Sequence, residues 1–172
     1  MAKDSGVDVA YGAAVWAFAF AAMSFYWAAA MSFHWNFGLA SAATIGNSIV
    51  ALVRAHDHRL LVILWVTGAL KLAAGMLALA FVRPWGERLI PHWALLSAGW
   101  CVGVLTILYG TANLAEHALM VRGIVATPAG LGLAAARWHL WLWDPWWLTG
   151  GILFLATTLF YERESTDRRA AR

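Results

Sequence analysis

The sequence predicts an all-α polytopic membrane protein, a four-transmembrane-helix bundle with a short interfacial helix in its first outer connection. Three observations lead there. Of the 172 residues, 62% are hydrophobic and 12% charged, whereas an average soluble chain is about 45–50% apolar and about 25% charged. A soluble domain of this size would have nowhere to bury the excess apolar surface, and disorder is excluded. Four apolar runs, residues 11–31, 60–82, 93–121 and 145–161, approach or exceed the roughly 20 residues that cross a hydrocarbon core. Lys and Arg also sort by side. Placing both termini and the turn over residues 83–92 together gathers Lys3, Arg83, Arg88, Arg163, Arg168, Arg169 and Arg172, and leaves Arg54, Arg59, Arg122 and Arg137 opposite. The excess of positive charge inside then assigns both termini to the cytoplasm.

All 172 residues read as a single membrane domain, with polar tails over residues 1–10 and 162–172 that are expected to fray. The first run follows Lys3 and contains Ala28-Ala29-Ala30, but it is longer than the apolar core of about 7–15 residues in a cleaved signal and is read as a retained span. Residues 39–53 form the interfacial helix, with Ile45, Ile49, Leu52 and Val53 toward lipid or protein. Spans two and three are joined by Arg83-Pro84-Trp85-Gly86, whose proline and glycine suit a tight cytoplasmic hairpin. The second outer connection carries Pro128, Gly130 and Gly132 and then a tryptophan-rich run. Asp144-Pro145 reads as a helix start, because the carboxylate can cap free amides and proline suits the first helical position. The last span is short, and residues 138–143 are expected to dip into the outer interface.

The net charge of +3 includes no basic stripe with interleaved aromatics, so nucleic acid is not an expected partner. The single cysteine, Cys101, lies in an apolar run, which removes disulfide scaffolds, paired-cysteine redox relays and cysteine-based zinc sites. Expected partners are the lipid bilayer, a hydrophobic small molecule or lipid, and a homo-oligomer or larger membrane complex.

The third span carries the chemistry. Thr106, Tyr109, Asn113 and Glu116 recur every three or four residues, which at about 100° per residue forms one polar face with His117 at its margin. Gly99, Gly103 and Gly110 make a seam of small residues beside it, where another helix can approach closely. Lys71 falls near the midplane of span two, where an ammonium is expensive unless hydrogen-bonded. Tyr109, Asn113 and Glu116 are its expected partners across the hairpin. Tyr26, Trp27 and His34 from span one, with Trp138, His139, Trp141 and Asp144 from the last connection, are expected to converge on the same outer end. Trp85, Trp93, Trp146 and Trp147 are assigned to the ordinary aromatic belts of the two interfaces.

Three readings of function follow. A binder of a hydrophobic ligand, or an accessory subunit, needs only the glycine seam and the aromatic pocket. A membrane enzyme that isomerises or cyclises an isoprenoid or sterol-like lipid would use Glu116 as proton donor, His117, Tyr109 and Asn113 beside it, and the faces of Trp27, Trp138 and Trp141 to stabilise a carbocation. A haem binder would use His34 with His117, or His117 with His139, as axial ligands. No cofactor and no metal site is expected: His56-Asp57-His58 has metal-ligating residue types but reads as a solvated turn.

The stretches Ser24-Phe25-Tyr26-Trp27, Val82-Arg83-Pro84-Trp85-Gly86, Tyr109-Gly110 with Asn113 and His117, and the run from Arg137 through Trp138-His139 and Asp144-Pro145-Trp146-Trp147 to Leu148 resemble a family of small bacterial four-span membrane proteins of unknown function. The resemblance covers residues 11–161. It implies a four-span architecture in a bacterial cytoplasmic membrane, and it carries no catalytic residue over to this chain.

Overall fold

The computed structural model describes residues 2–33 and 42–170, all of whose regular structure is helical. In order these are α1 (Ala2–Ser32), α2 (Ala42–Ile45), α3 (Asn47–Arg54), α4 (His58–Ala80), α5 (Pro84–Leu89), α6 (His92–Val121), α7 (Leu133–Trp138), a π-helical turn (His139–Trp143) and α8 (Asp144–Ala170). Three of them, α1 from Ser5, α4 and α6, are long and apolar enough to cross a membrane. Half of the apolar stretch of α1 is buried inside the protein, against 17% for α4 and 22% for α6, so α1 is the most enclosed of the three. The outward faces of the other two are apolar, with Val62, Val66, Leu70 and Met76 exposed on α4 and Val104, Leu105 and Leu108 on α6. That is the distribution a lipid solvent requires.

Small residues decide which helices meet. Ala10, Ala13, Ala14, Ala17 and Ala21 are buried along α1, while Phe18 and Phe25 of α1 press into notches at Gly75 and Gly68 of α4. The glycine seam of α6 packs on α8, with Gly99 against Thr158, Gly103 against Leu155 and Gly110 against Leu148. The bundle therefore consists of two pairs, α1 with α4 and α6 with α8, joined through α1 and α8. Contact between α4 and α6 is sparse although α5 joins them in sequence. The pairing of spans two and three expected from the hairpin is overturned for that reason: the glycine seam of each outer helix accepts a different partner.

The described residues of both expected tails are helical. α1 starts at Ala2 and α8 runs to Ala170, because tertiary contacts hold the ends. Gly6 packs on Phe160, and Glu87 takes a 3.3 Å hydrogen bond from the Tyr161 hydroxyl and a 3.3 Å ion pair from Arg168. His92 sits 3.2 Å from the same hydroxyl. These contacts bring the N-terminal turn of α1, the α5 hairpin and the end of α8 to one end of the molecule, as the basic-residue sorting expected. Pro84 opens α5 in its first turn, so the hairpin is itself a short helix.

The first outer connection is helical but broken. Gly46, with φ of 89°, separates α2 from α3 in a conformation that L side chains rarely adopt. The start of α3 is tied to the second outer connection by Ser48 N–H to the Gly130 carbonyl at 2.8 Å and by the Asn47 amide to the Ala129 carbonyl at 3.2 Å. Residues 39–41 of the expected interfacial helix lie outside the described residues. Asp57 settles its triplet: its carboxylate accepts from the amides of Arg59 at 2.9 Å and Leu60 at 3.0 Å and caps α4. Asp57→Ala should therefore cost about 1 kcal/mol of stability, read as a lower melting temperature in detergent, with Asp57→Asn or Asp57→Ser close to the unaltered protein.

The second departure lies at Asp144-Pro145. α8 does begin at Asp144, but not out of a loop: α7, the π-turn and α8 follow one another without a break. Pro145 has no N–H to give to the helical ladder, and the turn before it widens, with the Asp144 amide bonding to the His139 carbonyl. The Asp144 carboxylate, not needed as a cap, is freed for a side-chain partner.

Candidate functional site

A cavity of about 370 Å³ lies at the end of the bundle opposite the termini, between α1, α4, α6 and the π-turn. Phe20 and Trp27 of α1 face it across from Trp143 and Trp147. Leu60, Ile63 and Leu64 of α4 form an aliphatic wall, and Ile45, Ile49 and Val53 of α2 and α3 cover it. Lys71, Tyr109, Asn113, His139 and Asp144 supply its polar groups. Ile63 and Tyr109 line the cavity yet are 56% and 53% exposed, so the wall is open sideways where α4 and α6 stand apart.

The aromatic wall is organised around Trp147, whose ring lies 4.8 Å from Phe20 and 4.9 Å from Tyr109, both edge to face. Trp27 and Trp143 meet at 6.0 Å. Lys71 enters from α4: its ammonium donates a 2.8 Å hydrogen bond to Ser24 Oγ and lies 3.5 Å above the Phe20 ring, with Trp147 at 5.7 Å. Tyr109, Asn113 and Glu116 are not its hydrogen-bond partners, because α4 packs on α1. The Asn113 amide instead donates back to the Tyr109 carbonyl at 2.7 Å.

The other polar cluster joins three helical segments. His117 Nδ1 of α6 lies 2.7 Å from Asp144 Oδ2 of α8, with the two residues 6% and 2% exposed. The His139 ring lies 4.8 Å from that of His117, at an interplanar angle of 34°. Burial and the neighbouring His117 lower the pKa of His139 below the ordinary histidine value, with Asp144 opposing them. One ligand atom from each of His117, His139 and Asp144 falls within 4.8 Å of the others, so the three could hold a metal ion. A haem does not fit between His117 and His139, since two rings this close and this nearly parallel leave no gap for a macrocycle. The alternative ligand His34 lies outside the described residues.

Six sequence-predicted residues thus line the cavity, Trp27, Lys71, Tyr109, Asn113, His139 and Asp144, and His117 stands behind Asp144. Glu116 does not join them. It is exposed on the outer side of α6, about 120° around the helix from Gly110 and about 100° from His117, the residues that face α8. Burial against the aromatic wall, which its proposed role as proton donor required, is absent. Tyr26, Trp138 and Trp141 are likewise turned outward, at 43%, 47% and 78% exposed. The π-turn directs His139 and Trp143 inward and leaves Trp138 and Trp141 outside.

Sequence reasoning missed Phe20 and Ser24, and it left Trp147, which lines the cavity, in the aromatic belt. Phe20, Ser24 and Trp27 are spaced four and three apart, and Trp143 and Trp147 four apart, so helical periodicity carried the signal. Trp146 is also no belt residue: it stacks on Trp16 at 6.2 Å, and the Trp16 indole donates to the Trp146 carbonyl at 2.9 Å.

A family model described as protein of unknown function (DUF3995) matches residues 17–154, and the chain belongs to that family. Neither the curated proteins nor the solved structures give a significant match.

Proposed function

We propose that this member of the DUF3995 family is a four-span protein of a bacterial cytoplasmic membrane, with both termini cytoplasmic and α8 as its fourth span, that binds one amphipathic molecule. The ligand has a hydrophobic chain and an anionic or carbonyl-bearing head. The observation that carries the reading is the cavity of about 370 Å³, walled by aromatic and aliphatic side chains around a few polar groups. Small-molecule sites have that composition and occupy about 300–1,000 Å³. Among the described residues the Lys71 ammonium has one hydrogen-bond acceptor, Ser24, and three protons to donate, so a ligand oxygen can take another. The lateral opening between α4 and α6 lets the chain enter from, or extend into, the acyl region. Ile45, Ile49 and Val53 close the cavity toward the head-group side. Carbocation chemistry driven by Glu116 has no geometric support, because that carboxylate faces away from the cavity.

Gentle purification followed by lipid extraction and mass spectrometry tests the reading. One amphiphile enriched far above its share of the membrane, at about one per chain, is the expected result. Bulk lipids in bulk proportion would overturn it. A larger membrane protein retained in place of the lipid would instead assign an accessory-subunit role. Reporter fusions at each terminus read the orientation.

A further inference from the structure

We infer that His117, His139 and Asp144 form a binding site for one divalent first-row transition-metal ion of the Zn2+ class, with its free coordination positions toward the cavity. Two imidazoles and a carboxylate suit Zn2+, Fe2+ or Co2+ better than the harder Mg2+ and Ca2+. Three protein ligands also leave at least one position open, the arrangement of reactive metal sites and not of closed structural ones.

The geometry favours an ion over a simple hydrogen-bonded tie between helices. A tie needs only His117 and Asp144, which already meet at 2.7 Å. It gives no role to His139, whose ring lies against His117 although no hydrogen bond reaches it among the described residues. Asp144 is 2% exposed, and His117 is its hydrogen-bond partner among the described residues. A carboxylate has about four acceptor sites, and Asp144 lines the cavity, so a cation placed there has acceptor capacity to use. The backbone contributes as well. His139 and Asp144 lie five residues apart, which a regular α-helix would point in different directions; the π-turn between them brings both to the cavity. Single π-turns of this kind are rare and concentrate at functional sites.

Binding moves one proton within the His117 ring. The proton that Nδ1 donates to Asp144 is given up and Nε2 takes one through solvent, so the imidazole stays neutral; the ion takes the vacated place between Nδ1 and the carboxylate, and His139 supplies the third donor nitrogen. The 2.7 Å contact then opens to about 3.3 Å, the separation of two atoms each about 2.0–2.1 Å from a tetrahedral ion. No redox change is required.

The test uses the full chain in detergent, with any affinity tag removed, stripped by chelator, desalted and titrated with Zn2+, and with Co2+ as a spectroscopic probe. The expected result is one Zn2+ per chain retained through desalting, a visible Co2+ band, and Zn2+ affinity lowered at least about tenfold in His139→Gln and Asp144→Asn. The double variant His56→Gln, His58→Gln, altered in the turn before α4, should bind as the unaltered chain does. Substoichiometric Zn2+, a His139→Gln variant that binds as tightly as the unaltered chain, or loss of binding in the double variant would each overturn the inference. If Asp144→Asn does not fold, His139→Gln decides, since a structural tie between His117 and Asp144 is untouched by it. The metal is measured on protein without added lipid, so its outcome is separate from that of the amphiphile reading.

Discussion

Lys71→Met should weaken amphiphile binding by about ten- to a hundredfold while leaving the melting temperature of the ligand-free protein unchanged or raised. The two halves of that expectation have different causes. A hydrogen bond from a charged donor to a ligand oxygen is worth about 1.5–3 kcal/mol, and methionine removes the donor while keeping an unbranched stem of similar length. In the free protein the ammonium sits among Phe20, Ser24 and Trp147, and among the described residues it hydrogen-bonds to Ser24 alone, at 2.8 Å. Removing a charge from such surroundings relieves a desolvation cost. The Phe20 cation–π contact, about 0.5–2 kcal/mol, is lost in exchange, and a thioether against the ring recovers part of it. A purely structural lysine would behave in the opposite way, with melting temperature falling and ligand content unchanged. Lysine-to-arginine is a poor substitute here, since its planar fork does not fit a site shaped for one ammonium. Quantifying the co-purified amphiphile per chain, alongside thermal unfolding of delipidated protein, separates the two outcomes.

What could be read from the sequence follows from which interactions are local. Apolar runs gave the positions of α4 and α6 to within two residues at either end, because hydropathy acts along a single helix. Basic-residue sorting placed the termini and the α5 hairpin at one end, since it needs only the order of spans. Partner choice was not legible. Spans two and three are adjacent in sequence, yet Gly68 and Gly75 commit α4 to the phenylalanines of α1, and Gly99, Gly103 and Gly110 commit α6 to α8. Lys71 went to Ser24 as a consequence. The site suffered from the same limitation and from one more. A polar stripe assigned by 100° steps spreads over a wide arc, so Asn113 faces the cavity while Glu116, one turn on, faces outward. The π-turn adds an extra residue to the helix at His139–Trp143 and changes which tryptophans point inward. Pro145 marked that irregularity in the sequence, but a proline that follows a capping residue reads as a helix start just as well.

The glycine contacts between α6 and α8 carry the second large effect. Gly151→Ala should destabilise the protein by about 1–3 kcal/mol, as overpacking does, even though alanine is favoured over glycine within a helix by about 0.8–1.0 kcal/mol. A Cβ at Gly151 would stand 2.9 Å from the Ile107 amide nitrogen and 3.0 Å from the Gly103 carbonyl oxygen. Those are backbone atoms, and no rotamer change moves them away. The helices must separate. Gly12→Ala is the matched control: its Cβ would meet only Leu153 Cδ2, at an ordinary 3.5 Å, so the helix preference acts alone and the variant should be neutral or slightly more stable. Thermal unfolding in one detergent should thus give shifts of opposite sign for the same chemical change on two helices. The separation also reaches the polar cluster, because the His117–Asp144 contact links these same two helices about two turns beyond Gly151. Gly151→Ala should therefore lower Zn2+ affinity without altering any ligand, whereas Gly12→Ala should leave it unchanged. Equal melting shifts in the two variants would mean that α6 and α8 are not in backbone contact, and the wall that places His117 beside Asp144 would lose its basis.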